Sequence, residues 1–460
     1  MQTLDTIAAI STPIGYGGIA VIRISGDNAL AAADTLFSGI SRIDPPSSWA
    51  GYSCAYGKIL YKDAVLDECI LTVYKAPRSY TGEDVVEISC HGGVFSAGEI
   101  LRAVYSLGVR PAHAGEFTER AFLNGKTTLT QAEAVMDIIS AKGKAELRSA
   151  LKVRDGAVYK RIKIVSEKLV GLLAALAVWA DYPDDEDIDL LAGESFNNIQ
   201  NVISNAEQNL SALTEGFAFG QLIKAGIPLV IAGKPNVGKS SIMNVLSGTS
   251  RSIVTDIPGT TRDIIENEIR IGDYTFRIFD TAGIHETKDV IEQTGTDLAK
   301  EKIAEAEIIL AVFDSSMPLD EADEEIIRLT AGDRAIAVLN KSDIAGAADF
   351  SGILSKYKKT VSLSAKTGAG FEKLTEFLTE LPEIKAVAGA EIILNDRQNA
   401  AAAAALGFLR EAKTAAAGEI PLDALTILIN AALEKLLELT GESAEAAVTR
   451  SVFDNFCVGK

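Results

Sequence analysis

The spacing of apolar and polar positions changes character three times along the chain. Residues 1–120 carry short apolar runs separated by turns: Gly18–Ser25 reads GIAVIRIS, Ile70–Tyr74 reads ILTVY, and Val85–Cys90 alternates as VVEISC. Runs of this length and branching predict strands. Helical spacing lies between them, at Asn28–Leu36 and Ala97–Leu107, so the expectation is an α+β domain. From about Thr118 apolar residues recur every three to four positions, as at Ala134, Val135, Ile138 and Ile139, which predicts helices. A single long helical stretch is expected over Ala145–Ala180, which has no proline and only two glycines. The acidic run Tyr182–Asp189 predicts a loop, because like charges repel along a helix, and Glu194–Leu213 is helical again.

At Ile227 strands and helices begin to alternate, the signature of a parallel sheet. Strand candidates are Pro228–Ala232, Thr275–Asp280, Ile308–Asp314, Ala335–Asn340 and Thr360–Ser364. From about Asn395 the pattern is helical to the last residue. The expected fold class is multidomain. An α+β N-terminal domain covers 1–120. An all-α helical domain is built from 121–220 and 385–460, and an α/β domain, 221–384, is inserted within it.

Composition narrows the function. Hydrophobic residues make up 47% of the 460, enough for real cores. Lys and Arg number 44 against 63 Asp and Glu, a formal charge of −19. That argues against a bulk nucleic-acid binder, which needs clustered cations. Divided along the chain, residues 1–126, 127–224, 225–385 and 386–460 carry −3, −4, −8 and −4. No domain is basic, so any RNA must be held by a small local patch or by a partner. The longest apolar run, Leu169–Ala180, falls short of the roughly 20 residues a membrane span needs. Without a basic n-region and an apolar h-region at its start, no signal peptide is expected. Four cysteines without a Cys-x-x-Cys pairing suit the cytoplasm and argue against a zinc site. Cys54, Cys69 and Cys90, in strand-like runs, are expected to pack inside the first domain.

The inserted domain carries the strongest chemistry. Gly233-Lys-Pro-Asn236-Val237-Gly238-Lys239-Ser240 follows an apolar strand and precedes a helical run that starts at Ser241. In that context G-x-x-x-x-G-K-S is a phosphate loop. Its backbone amides turn towards phosphates, Lys239 can neutralise the β and γ groups, and Ser240 can ligate Mg²⁺. Asp280-Thr281-Ala282-Gly283 suits a carboxylate behind the Mg²⁺ and an amide that senses the γ-phosphate. In Asn340-Lys341-Ser342-Asp343, the Asp343 carboxylate can accept from guanine N1 and N2, a donor pair that adenine lacks. Ser364-Ala365-Lys366 offers a backbone amide to guanine O6. Four motifs in this order, each at the carboxyl end of a candidate strand, point to a GTPase.

The intervening segment contains Thr255-Asp256-Ile257-Pro258-Gly259-Thr260-Thr261, where Thr261 is placed to complete Mg²⁺ coordination. Ile284 follows Gly283, where Ras-like enzymes carry a water-orienting Gln. Catalysis must therefore be supplied differently. Asn236 offers a spare carbonyl oxygen near the phosphates, which with oxygens of Thr255–Thr260 could hold a monovalent cation.

Beyond these motifs, the chain resembles the bacterial tRNA-modification GTPase family MnmE (TrmE). The resemblance rests on residues 17–26 (GGIAVIRISG), 78–87 (RSYTGEDVVE), 115–126 (GEFTERAFLNGK), 131–135 (QAEAV) and 456–460 (FCVGK). It implies a folate-binding-like N-terminal domain that also mediates homodimerisation. Arg23, Glu87 and Lys126, with the terminal Lys460, would contact a tetrahydrofolate derivative (5,10-methylene or 5-formyl). It implies K⁺ ligated by Asn236, Thr255, Ile257 and Thr260, and an attacking water oriented by Glu292. It gives Cys457 a part in tRNA modification. It also implies an FAD-containing partner, MnmG (GidA), in a heterotetramer that installs an aminomethyl or carboxymethylaminomethyl group at C5 of the wobble uridine of tRNA. His285, Pro258, Ala114 and Thr128 depart from residues frequent in the family, but none removes an implied ligand.

Three other readings stay open on the sequence. One is a ribosome-assembly GTPase switch with a folate-like dimerisation scaffold, which predicts an appended basic RNA-binding module. Another is a membrane-coupled GTPase of the ferrous-iron transport type, which predicts membrane spans. The third is a GTPase whose first domain is a scaffold only, which predicts no folate binding.

Overall fold

The structure is a computed structural model that describes residues 5–181, 186–249, 267–280, 302–344, 350–380, 392, 394–418, 421–443, 452–454 and 456–459. Two compact units share the chain: residues 1–136, 153–209 and 400–460 form one, and 137–152 with 210–399 form the other.

The first unit is built on a seven-stranded sheet. Its strands are β1 (Ile7–Ile10), β2 (Ile19–Ser25), β3 (Phe37–Gly39), β4 (Ser53–Tyr61), β5 (Ala64–Tyr74), β6 (Val85–His91) and β7 (Arg110–Pro111), in the order β3-β4-β5-β6-β2-β1-β7. Every pairing is antiparallel except β1 with β7. Strand alternation sorts the side chains. Ala20, Ile22 and Ile24 of β2 join Trp49, Leu71, Ile88 and Ile100 in a core under helices α1 (Ala29–Leu36) and α2 (Val94–Tyr105). Arg23, between them in sequence, faces the other way and stands directly opposite Glu87 of β6. The same parity corrects one expectation. Cys69 and Cys90 are buried, but Cys54 alternates with the buried Ala55 of β4 and is exposed.

Helix α3 (Glu116–Leu123) brings a buried charge cluster to this domain. The Arg120 guanidinium, 3% exposed, pairs with Asp5 at 2.7 Å, Glu116 at 3.0 Å and Glu83 at 3.2 Å. Arg110 pairs with Glu116 at 2.6 Å. Burial would raise the Glu116 carboxyl, but Arg110, the His113 amide and Arg120 outweigh it and hold the group below the usual carboxylate range.

Helices follow as α4 (Leu129–Ser140), α5 (Lys144–Arg154), α6 (Ala157–Asp181), α7 (Glu186–Thr214) and α8 (Phe217–Ala225). The single helix expected over Ala145–Ala180 is broken at Gly156, whose φ of 86° is left-handed and ends α5. The loop expected through Asp189 gives way to helix at Glu186. Like charges one turn apart cost only a few tenths of a kcal/mol, so acidity alone does not stop a helix. Part of the expected helical domain also joins the α/β unit. Around α5, the Ala145 amide donates to the Asp273 carbonyl at 3.1 Å, and Lys142 and Arg148 pair with Glu268 and Asp273.

After the second unit come the helices Asp396–Ala417 and Leu422–Thr440. Gly441, at φ 88°, ends the helix Leu422–Thr440, and Phe453 and Phe456 pack on Leu129 and Ala132 of α4. Val452 and Phe453 are helical again, whereas Phe456–Gly459, expected as helix, are not.

The second unit is a six-stranded sheet in the order β13-β12-β11-β8-β10-β9. The strands are β8 (Ile227–Ala232), β9 (Asn267–Ile271), β10 (Tyr274–Asp280), β11 (Ile308–Asp314), β12 (Ala335–Asn340) and β13 (Lys359–Ser362), and only β9 is antiparallel to its neighbour. All seven residues of β11 and all six of β8 are buried, as in a sheet covered on both faces.

Replacing Arg120 by Met strands the carboxylates gathered around it. The expected cost is about 3–5 kcal/mol at neutral pH, read by urea denaturation. The Glu116 and Asp5 carboxyls titrate below their ordinary values in the folded chain, so their contribution is present at neutral pH and lost as pH falls through the depressed values. The difference between variant and parent should therefore shrink towards pH 3.

Candidate functional site

The five parallel strands end along one edge of the sheet, and the chain motifs lie there. From β8 the order runs to β10 on one side and to β11 on the other. The crevice at such a reversal is where α/β sheets bind ligands.

The loop after β8 is shaped for phosphate. Gly233 and Gly238 have φ of 158° and 99°, and a Cβ at Gly233 would stand 2.5 Å from the Val312 carbonyl oxygen. Asn236 is itself left-handed, at φ 63°, and exposed. Val237 is buried and anchors the loop from below. The Lys239 ammonium donates to the carbonyls of Gly233 at 2.8 Å and Lys234 at 2.9 Å, which holds it across the loop. Ser240 and Ser241 are exposed in the first turn of α9 (Lys239–Thr249), where free amides and the helix dipole favour an anion.

Asn340, at the end of β12 and 2% exposed, joins this loop to the base-recognition motifs. Its Nδ2 donates to the Val237 carbonyl at 2.8 Å, and its Oδ1 accepts from the Ala365 amide at 3.0 Å. The Ser342 amide donates to the Leu363 carbonyl at 3.1 Å, and Ser364 Oγ donates to Asp343 Oδ1 at 2.6 Å. That bond from Ser364 holds the exposed Asp343 carboxyl below its ordinary range, so it is an anion at neutral pH. Lys366 is exposed beside it. Residues of three motifs are thus locked into one rim.

Two contacts here leave little or no local pattern in the sequence. Asp314, the last residue of β11, takes the Lys341 ammonium at 2.6 Å. Burial would raise its carboxyl, but Lys341 and Ser316 outweigh it and hold the group low. Lys234 reaches Asp320 and Asp323, both at 2.7 Å, and ties the phosphate loop to the start of the helix Glu321–Thr330. A lone acid closing the apolar run Ile308–Asp314 was the available signal for the first. The second joins residues about 90 positions apart and left none.

Asp280 ends β10 beside Ile231. Thr255, Asp256, Ile257, Pro258, Gly259, Thr260, Thr261, Thr281, Ala282, Gly283, Glu292 and Lys460 lie outside the described residues. Among the described residues no group of three His, Cys, Asp or Glu side chains could hold a metal. The exposed Ser240 hydroxyl, in the first turn of α9, is suited to a divalent ion at this edge.

In the first unit, Arg23 donates to Glu87 Oε1 from Nε at 2.9 Å and stands 2.8 Å from it through Nη2. The guanidinium lies 5.3 Å from the Tyr80 ring centre and 5.6 Å from that of Phe117. Tyr74 Oη donates to Glu87 Oε2 at 3.4 Å. The chain's last residues come to this pair. The Gly459 carbonyl accepts from Ser11 Oγ at 3.0 Å and Arg23 Nη1 at 3.4 Å, and Val458 bridges to Ala114. Exposed Cys457 is therefore two residues from the Arg23 contact. A planar cation, a carboxylate and aromatic rings together suit a flat heterocycle with N–H donors. Lys126 donates to the Pro77 carbonyl at 2.9 Å.

A family model described as the GTP-binding protein TrmE N-terminus matches residues 6–126, and a model of the MnmE helical domain matches 129–457. The tRNA modification GTPase MnmE of Carboxydothermus hydrogenoformans is 40% identical over 99% of both chains. That of Acetivibrio thermocellus is 40% identical over the whole of both. Among solved structures, the G domain of the T. maritima FeoB iron transporter is 25% identical, covering 35% of this chain and 98% of its own, with a TM-score of 0.25.

Replacing Asn340 by Ala leaves the Val237 carbonyl and the Ala365 amide without their buried partner. The expected cost is about 1–3 kcal/mol, measured as a lowered urea midpoint. Stability equal to the parent would mean that the rim does not depend on this side chain.

Proposed function

The chain belongs to the MnmE family of tRNA modification GTPases, a GTP hydrolase acting in tRNA modification, and we propose that it drives modification at C5 of the tRNA wobble uridine together with an FAD-containing partner of the MnmG type. The observation that carries the reading is the rim joined by Asn340, which brings a phosphate loop and a carboxylate suited to guanine to one edge of a parallel sheet.

The chain's own residues divide the work. Amides of the 233–240 loop and Lys239 hold the phosphates, and Asp343 with the amides of Ser364–Lys366 selects guanine. Ser240 and Thr261 would hold Mg²⁺. Asn236, with Thr255, Ile257 and Thr260, would hold K⁺. When bound, these ions supply the positive charge that phosphoryl transfer needs as charge builds on the transferred group. Glu292 orients the attacking water in place of the side chain missing at Ile284. The exposed carboxamide of Asn236, in its left-handed turn beside the phosphate loop, supports the cation assignment.

In the first domain Arg23 and Glu87 would orient a tetrahydrofolate derivative, with Lys126 and Lys460 towards its acidic tail and Cys457 near the one-carbon unit. The Arg23–Glu87 pair and its ring neighbours support this reading. The working form is a homodimer that joins the partner as a heterotetramer in the cytoplasm. Among the described residues no helix is long and apolar enough to cross a membrane.

Two measurements test the proposal. Mass spectrometry of tRNA from a strain lacking this protein should show wobble uridines without the aminomethyl or carboxymethylaminomethyl group, and unchanged masses would overturn the function. Exchanging K⁺ for Na⁺ should reduce GTP turnover at least about tenfold, the scale of a lost transition-state charge contact. Equal rates would remove the cation assignment.

A further inference from the structure

The charge of the chain is uneven on a scale finer than its domains. Residues 142–168 hold nine Lys and Arg against three Asp and Glu, so this stretch carries +6 within a chain of −19, and the other 433 residues carry −25. The structure divides these cations by task. Lys142 and Arg148 are spent on Glu268 and Asp273 of the second unit. On α6, Lys160, Arg161, Lys163 and Lys168 are all exposed, and among the described residues none of the four makes an ion pair.

Helical periodicity keeps these four together. Val158, Ile162, Val165 and Leu169 are buried, each at most 3% exposed, and face the core. The cations occupy the opposite arc. From Lys160 to Lys168 they span about 12 Å at 1.5 Å per residue. Glu167 is the lone carboxylate on that stretch of α6. On the packed helix Leu422–Thr440, Glu438 is paired with Lys435 at 2.7 Å.

We infer that this face of α6 is the surface through which the chain touches the phosphate backbone of the tRNA. The inference rests on the proposed function. The residue types favour RNA over an acidic protein. Three of the four cations are Lys, which protein–protein interface cores avoid, whereas Lys and Arg are the ordinary partners of phosphate oxygens. Ile164 is the one large apolar side chain well exposed among them, at 56%, and the ring of half-buried Tyr159 lies 5.9 Å from the Lys163 ammonium. Such a face carries no base code. It fixes the position of the RNA, while the surrounding negative charge repels the RNA from the rest of the surface.

The test uses the full chain with Lys160→Gln, Lys163→Gln and Lys168→Gln combined, and an unmodified tRNA transcript labelled for fluorescence anisotropy across a KCl series. GTP turnover, whose residues lie elsewhere, reports folding. The expected result is normal turnover, binding weaker by about tenfold or more near 0.1 M salt, and a log–log salt slope flatter by about one per Lys removed. Affinity and slope equal to the parent overturn the inference, as does a parent chain that binds no tRNA. A variant that binds tRNA normally but no longer associates with the flavoprotein partner also overturns it, by assigning the face to a protein. None of these outcomes touches the wobble-uridine reading, which falls only with unchanged masses in the deletion strain.

Discussion

The α/β unit turns on one carboxamide. Asn340 is buried where β12 ends, and it spends its donor on the phosphate loop and its acceptor on the Ser364–Lys366 turn. A buried amide cannot leave either group unpaired without a cost comparable to a lost hydrogen bond. The two loops therefore hold a fixed separation. The constraint reaches into the sequence: a Cβ at Gly238 would stand 2.2 Å from Asn340 Nδ2, so the second loop glycine is required by the base-side motif as well as by the phosphates. Asp314 restrains Lys341 on one flank, and Asp320 with Asp323 restrains Lys234 on the other. The rim is thus braced by ion pairs from neighbouring strand and helix ends.

The first unit meets a similar demand by another route. Arg23 is held by a carboxylate in direct register across the sheet, so strand pairing alone positions the pair. The third partner, the Gly459 carbonyl, comes from 436 residues further along the chain. Gly459 adopts φ 99°, and a Cβ there would stand 2.5 Å from the Ile10 carbonyl oxygen, so the tail lies against β1 only because this residue has no side chain. Phe453 and Phe456 anchor the segment just before it. A terminus this firmly docked makes Cys457 part of a built surface, where terminal residues ordinarily fray.

What could be read from sequence follows from how each signal is encoded. β11 and β12 are buried on both faces, so they stand as unbroken apolar runs, and the structure has them at Ile308–Asp314 and Ala335–Asn340 as expected. The edge strand β9 (NEIRI) shows only alternation over five residues and was not distinguishable from loop. Gly156 could be counted in the sequence, but its left-handed turn could not. Cys54 differed from Cys69 and Cys90 only in strand parity, which needs a register. The phosphate loop was legible because its spacing is its mechanism. Lys234 with Asp320, and the tail with Arg23, were not, because both are contacts between distant segments with no local pattern.

The charge arithmetic shows how averaging hides a surface. Summed over residues 127–224 the helical region is negative, and the sum alone leaves room only for a small local patch. Phosphates, however, respond to charge within about one Debye length, about 8 Å at physiological salt, and Lys160, Arg161 and Lys163 lie within about 5 Å of one another along α6. On that scale the acids elsewhere in the same helical region are screened, while neighbouring lysines on one helical arc act together. A net charge of −19 then limits where RNA can touch this chain, without deciding whether it can. A small positive face in a negative surround has a further consequence. Contacts confined to four side chains give modest affinity and a strong dependence on salt, so a partner protein must carry much of the binding. The same acidity that disfavours this chain as a free-standing RNA binder makes it suited to a role in which the RNA is presented to it.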